Sequence, residues 1–83
     1  MKLVYFAWVR ERVGRAEEDV DLPGHVATVA DLMAFLAARD DGYAAAFAEP
    51  NVVRAALDHE HVDAATPIGE AREAAFFPPM TGG

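Results

Sequence analysis

Two apolar patterns at the start of the chain predict two β-strands. The run from Leu3 to Val9 is rich in β-branched and aromatic residues and is apolar at odd and even positions alike. This is typical of a strand that is covered on both faces and lies inside a sheet. The charged segment 10–15 contains a glycine and predicts a turn. In the segment 17–22 only Val20 and Leu22 alternate among acidic residues, so we expect this second strand at a sheet edge.

The middle of the chain predicts one main helix. Thr28 and Asp31 are typical of an N-cap followed by an acid in the first turn, and the sequence Asp40-Asp41-Gly42 predicts a stop after a helix that ends near Arg39. Apolar side chains recur at i, i+3, i+4 and i+7, at Val29, Leu32, Met33 and Leu36. This stripe must cover the sheet.

The second half of the chain predicts the rest of an α+β domain. We expect a short helical turn over 43–48, a third strand over 52–57, an irregular segment over 58–72 with only a short edge piece at 66–68, and a last strand over 74–77. The predicted architecture is a mixed four- to five-stranded sheet with one main helix packed across it. Residues 1–77 form a single domain in this interpretation, and 78–83 an extended, flexible tail.

Composition limits the function classes. The 83 residues are 53% hydrophobic and 25% charged, an ordinary globular mixture that holds one core. The net charge of -7 argues against nucleic acid and anionic membranes as partners and predicts that protein partners present basic surfaces. Cysteine is absent from the sequence, which excludes disulfides and thiolate metal sites and favours the cytoplasm. The first apolar run is too short to span a membrane.

Side-chain chemistry is scarce. His59-Glu60-His61 places two imidazoles at alternating positions, a pattern of a weak metal site or, as we prefer, of a polar surface turn. The acidic runs 17–19 and 40–41 lack the ligand spacing of a calcium loop and are typical of solvated faces. No phosphate-binding loop or nucleophile elbow is present. We therefore expect no metal site, no bound cofactor and no autonomous catalysis.

The C-terminus is the exception. Glycine supplies 6 of 83 residues, so the final pair Gly82-Gly83 has a chance frequency of about 0.5%. Pro78-Pro79 stiffens the exit, and the six residues after Phe77 span at most about 20 Å. Two residues without side chains can enter a narrow channel, and their carboxylate is a reactive group once a partner enzyme has activated it with ATP. A frayed end is the alternative.

Two runs of residues together resemble a known family: Phe6-Ala7-x-x-Arg10-Glu11-x-x-Gly14, and Phe76-Phe77-Pro78-Pro79-Met80-Thr81-Gly82-Gly83. The chain is similar in both to the small subunits of molybdopterin synthase, ubiquitin-like sulfur carriers with a β-grasp fold. The resemblance covers nearly the whole chain. It departs from the family at Asp58, where an Asn is frequent, and at Ala71-Arg72, where a Gly-Asp turn is frequent.

The resemblance implies a role for the last residue. An adenylyltransferase similar to the ubiquitin-activating enzyme would adenylate the Gly83 carboxylate with ATP, and a sulfur donor protein would convert it to a thiocarboxylate. Gly82 would let the tail thread into the large synthase subunit, where sulfur passes to cyclic pyranopterin monophosphate in a heterotetramer of two small and two large subunits.

The resemblance also implies a partner interface beside the tail, formed by Phe6, Arg10, Phe77, Pro78, Pro79, Met80 and Thr81. Core packing of Phe6 and Phe77, and a solvated Arg10, are the alternatives. Other functions stay open at this point: a sulfur carrier for thiamine thiazole or another pathway, a ubiquitin-like modifier joined to lysines through Gly83, or an acidic binding module of another class.

Overall fold

The chain begins with a short strand followed by a helix. The structure, a computed structural model that describes residues 1–79, places β1 at Lys2–Tyr5 and α1 at Ala7–Val13. The predicted strand up to Val9 and the predicted turn over 10–15 are therefore wrong. Val9 and Val13 lie one helical turn apart and are both buried, and this packing outweighs the strand propensity of the aromatic run. Gly14 ends the helix with φ 90°.

The remaining strands complete a five-stranded mixed sheet. They are β2 (Glu17–Asp19), β3 (Arg54–Leu57), β4 (Glu60–Val62) and β5 (Glu73–Phe77), in the order β2-β1-β5-β3-β4. β1 and β5 are parallel and the other pairs are antiparallel. The prediction of an edge position for β2 is confirmed, although the strand is shorter than 17–22.

Strand β4 lies in the segment that the sequence predicts to be irregular. β3 and β4 pair from Leu57 with Glu60, so Asp58 and His59 form a two-residue hairpin loop. Both loop residues are left-handed, with φ of 48° and 71°. Such a loop matches the twist of the strands but usually contains glycine, so Asp58-His59 does not predict a hairpin. The expected edge piece at 66–68 is reduced to an isolated bridge between Thr28 and Pro67.

Two further helices cover one face of the sheet. α2 spans Val29–Ala37 and α3 spans Asp41–Ala46, close to the predicted positions. Thr28 Oγ1 accepts a hydrogen bond from the Asp31 N–H, and the Asp31 carboxylate accepts one from the Thr28 N–H, each at 3.1 Å. The capping box is complete even though the acid is Asp. The largest fully buried side chains between helices and sheet are Tyr5, Tyr43, Phe76, Leu3, Leu32, Leu36, Val9 and Val29.

One carboxylate joins the sheet to the helices. The Tyr5 and Tyr43 hydroxyls donate to Glu18 Oε2 at 2.8 and 2.5 Å, and Arg15 and Arg39 each approach Glu18 Oε1 at 3.2 Å. Burial alone would raise the pKa of Glu18, but the hydrogen bonds from both tyrosines and the two guanidinium charges outweigh it and lower that pKa. Burial and then the bond to Glu18 raise the pKa of both tyrosines.

We expect Glu18→Gln to lower the free energy of unfolding by about 2 kcal/mol at pH 7, because the charged acceptor of both tyrosines and the partner of both arginines is lost. Since the folded-state pKa lies below the ordinary value of 4.5, this stabilisation is complete above pH 4.5 and is lost as the pH falls through the folded pKa. Urea unfolding at pH 7 and at about pH 3 measures the difference, which should shrink at the lower pH.

Glu17→Gln is the matched control on the same strand. Glu17 pairs only with Lys2 at 3.4 Å among the described residues, and both side chains are largely exposed. Its loss should change the free energy of unfolding by less than about 0.5 kcal/mol. Equal effects of the two substitutions would contradict the special role of Glu18.

Candidate functional site

The predicted reactive tail leaves the fold from its central strand. β5 is hydrogen-bonded to β1 on one side and to β3 on the other. Phe76 is fully buried, stacks on Tyr5 with a centroid distance of 6.2 Å and meets Phe47 edge-on at 5.1 Å. These contacts fix the point from which Pro78 and Pro79, both half-buried, lead away.

The beginning of β5 is fixed by the β3–β4 loop. Asp58 Oδ1 accepts hydrogen bonds from the backbone N–H groups of Arg72 and Glu73 at 2.9 and 3.0 Å. The Asp58 N–H in turn donates to the Glu73 carbonyl oxygen at 2.9 Å. Asp58 therefore organises the turn before β5. It does so although the sequence departs from the residues frequent in the family at Asp58 itself and at Ala71-Arg72.

The sheet has a second face, opposite the helices, which we call the exit face because it adjoins the departing tail. Its middle row follows from the strand registers, which place Val4 beside Ala75, Ala75 beside Ala56, and Ala56 beside His61. Both alanines lie outside the main core cluster, yet each is less than a tenth exposed. The middle of this face is small and apolar.

The row of the exit face nearest the tail is aromatic and basic. Phe77 on β5 lies opposite Arg54 on β3 in the strand pairing. The centroid of the Phe77 ring lies 5.2 Å from that of the His61 ring. The Phe6 N–H donates to the Phe76 carbonyl oxygen at 3.0 Å, so Phe6 continues the pairing beyond β1. Its side chain is 48% exposed, which excludes core packing for Phe6. The half-buried Phe77 faces outward as well, away from Phe76.

A strained turn positions Phe6. Ala7 follows with φ 52°, a left-handed conformation that residues with a Cβ rarely adopt. The chain thereby turns out of β1 directly into α1, which carries the exposed Arg10 one turn after Phe6. Backbone strain of this kind is frequent at functional positions.

The structure brings together only part of the predicted site. Phe6, Arg10, Phe77, Pro78 and Pro79 lie around the exit of the tail. The other predicted site residues, Met80, Thr81, Gly82 and Gly83, lie outside the described residues. Sequence reasoning missed Val4, Ala56, Ala75 and Arg54, whose only signal is their alternation with core residues along short strands.

The two histidines of the possible metal site take different positions. His59 lies in the hairpin loop, 3.6 Å from a Glu73 carboxylate oxygen, whereas His61 lies in β4. Within residues 1–79, no three acidic or imidazole side chains come together as they would around a metal ion. In the same part of the chain, no helix has the length and apolar character that a membrane span needs.

Comparison with solved structures gives the same fold. SAMP1 from Haloferax volcanii superposes with a TM-score of 0.70 at 25% identity, over 100% of this chain and 98% of that chain. A second structure, of H. volcanii small archaeal modifier protein 1, gives a TM-score of 0.59 at 26% identity, over 96% of this chain and 97% of that one. The mixed sheet with helices on one face is the ubiquitin-like β-grasp fold that the resemblance implied.

Comparison of sequences gives the family. The molybdopterin synthase sulfur carrier subunit of Escherichia coli (strain K12) is 39% identical over 85 aligned positions, which cover 100% of this chain and 99% of that protein. The sequence pattern of the ThiS family matches residues 3–83, from the first strand to the final glycine. The chain therefore belongs to the ThiS family.

Proposed function

We propose that this chain is a sulfur carrier and the small subunit of a molybdopterin synthase. The observation that carries the proposal is its 39% identity, along the full chain, to a protein named as the sulfur carrier subunit of that enzyme. The sequence ends in the Gly82-Gly83 pair that this chemistry needs. The central position of β5 supports it too, because a rigid base under the tail lets a partner enzyme receive the carboxylate in a defined direction.

The chemistry takes place on the main chain. In the proposed cycle a Gly83 carboxylate oxygen attacks the α-phosphorus of ATP in an adenylyltransferase, and pyrophosphate leaves. A sulfur nucleophile supplied by a donor protein then attacks the acyl carbon, AMP leaves, and a thiocarboxylate remains. In the large subunit the thiocarboxylate sulfur would bond to a carbon of cyclic pyranopterin monophosphate, water would then cleave the bond between the Gly83 carbonyl carbon and that sulfur, and the carboxylate would return. The chain binds no cofactor of its own in this scheme, and we place the cycle in the cytoplasm.

The exit face is the proposed docking surface for the large subunit. Its apolar middle and the exposed Phe6 adjoin the tail, so binding there would bring Gly83 toward the partner's active site. Aromatic residues at the centre of an interface usually contribute most of its binding energy. Arg10, one helical turn from Phe6, would lie at the rim.

A protein modifier is the second candidate, favoured by the likeness to a small archaeal modifier protein. In that case the activated Gly83 carboxyl would form an amide with a lysine of another protein. The two functions share the activation step and differ in the acceptor. Incubation of the activated chain with a cell extract separates them, because a modifier forms conjugates of higher mass and a carrier does not.

We expect the purified chain to gain sulfur when it is incubated with an activating enzyme, ATP and a sulfur donor. Intact-mass spectrometry should show one oxygen replaced by one sulfur, located on Gly83 by fragmentation. Two variants are controls: a chain that lacks Gly82 and Gly83, and a chain extended by one alanine, whose carboxylate moves by about 3.5 Å. Both should fold normally and stay unmodified. A full mass gain in the extended chain would contradict the assignment to Gly83.

We expect Phe6→Asp to weaken binding to the large subunit by about tenfold or more, because a charge would be buried at the centre of the interface. Val52→Asp is the matched control, since Val52 is the other large exposed apolar residue among residues 1–79, at 37%, and lies beside Trp8 and α3, away from the exit face. Calorimetric titration measures both affinities. Equal losses for the two variants would show that docking does not use the exit face.

A further inference from the structure

An open notch lies on the exit face at the base of the tail. It has a volume of about 450 Å³ and is lined by Arg54, Ala55, His61, Val62, Asp63 and Phe77. The Phe77 ring forms one wall of the notch. The exposed side chains of Arg54 and His61 bring a guanidinium and an imidazole to it. The notch therefore combines a low-polarity wall with groups that attract an anion.

Arg54 has no counter-charge within the described residues. Arg15 and Arg39 pair with Glu18, and Arg12 lies over the Trp8 ring at 4.3 Å. Between residues 1 and 79, Arg10, Arg54 and Arg72 take part in no ion pair, and Arg54 is the one of these three that lines the notch.

The acid that lines the notch, Asp63, is held by its own loop and forms no ion pair with Arg54. Asp63 Oδ1 accepts hydrogen bonds from the Ala65 N–H and the Thr66 hydroxyl at 3.0 and 3.1 Å. In a chain of net charge -7, an arginine that forms no ion pair with residues 1–79 and lies beside an apolar surface is available for an external carboxylate.

We propose that Arg54 receives a carboxylate side chain of the large subunit and so determines which large subunit this carrier recognises. The inference rests on the proposed function and on the exit face as its docking surface. A guanidinium binds a carboxylate through two parallel hydrogen bonds, which fixes orientation as well as charge. Once the partner covers Phe77, water is displaced from the notch and the ion pair becomes stronger.

The side chains around the tail exit are basic, although the whole chain is acidic. The net charge of -7 predicts basic partner surfaces, but Arg10 and Arg54 lie on either side of the tail exit together with His61. The partner surface immediately around the tail channel should therefore carry acidic residues. Basic partner surfaces remain the expectation farther from the exit, where the acidic edge strand β2 lies.

The test is the affinity of the full-length chain for the large subunit from the same organism, measured by calorimetry at two salt concentrations. We expect Arg54→Glu to raise the Kd roughly 50-fold, Arg54→Ala roughly 5-fold and Arg54→Lys no more than about 3-fold. Arg72→Glu changes the net charge equally at an exposed position at the opposite end of β5, and should alter the Kd less than about twofold. Thermal melting checks that all four variants fold.

Several outcomes would overturn the proposal. A Kd for Arg54→Glu within twofold of the wild-type value would do so, as would equal losses for Arg54→Glu and Arg72→Glu, which would indicate an effect of net charge alone. Inorganic phosphate that binds the notch while Arg54→Glu leaves the Kd unchanged would identify a small-anion site instead. If Arg54→Glu weakened binding to the activating enzyme but not to the large subunit, Arg54 would serve a different partner.

The proposed function can fail separately. If the wild-type chain does not bind the large subunit at all, both ideas are wrong. If it binds and the Arg54 variants bind equally well, only the role of Arg54 is wrong. A large-subunit variant with one carboxylate changed to lysine that restores binding of Arg54→Glu would identify the contact directly.

Discussion

The burial of Phe76 in the central strand is the constraint on which the rest of the site depends. Its ring is enclosed by Tyr5 and Phe47, so the strand cannot shift its register without exposing a large aromatic side chain. With Phe76 fixed on the core side, Phe77 must face outward beside Arg54, and Pro78 must begin the tail at the edge of the exit face. The direction in which Pro78 and Pro79 leave the sheet is thus determined by core packing.

The rest of the fold supports that strand from both sides. β1 lies between β2 and β5, and Glu18 joins β1 and β2 to the helical layer through Tyr5 and Tyr43. On the other side Asp58 holds the start of β5 from the hairpin loop. The polar contacts lie at the margins of the core, and none of them involves the side chains of Phe6 or Phe77, the aromatic residues beside the tail.

Sequence reasoning succeeded where one physical signal dominated. The apolar stripe and the N-cap of α2 were predicted, because the helical period and the capping residue agree, whereas the role of Gly83 stays a prediction. Helix α1 was missed because Trp8 and Val9 favour strands locally, whereas the burial of Val9 and Val13 on one helical face is a tertiary effect. β4 was missed because its loop lacks glycine. The exit face was not foreseen beyond Phe6 and Phe77, since an alanine gives no sign of which face of a strand it lies on.

The most direct test of the account is a single-turnover transfer of sulfur. The thiocarboxylated chain would be mixed with its large subunit and cyclic pyranopterin monophosphate, and the mass of the carrier and the formation of molybdopterin would be followed together. The proposed function predicts that the chain returns to its carboxylate mass as molybdopterin forms. Two carriers should be consumed for each product, because two sulfur transfers build the dithiolene of molybdopterin. A chain that keeps its sulfur in the presence of the large subunit, or that becomes attached to lysines, would contradict it.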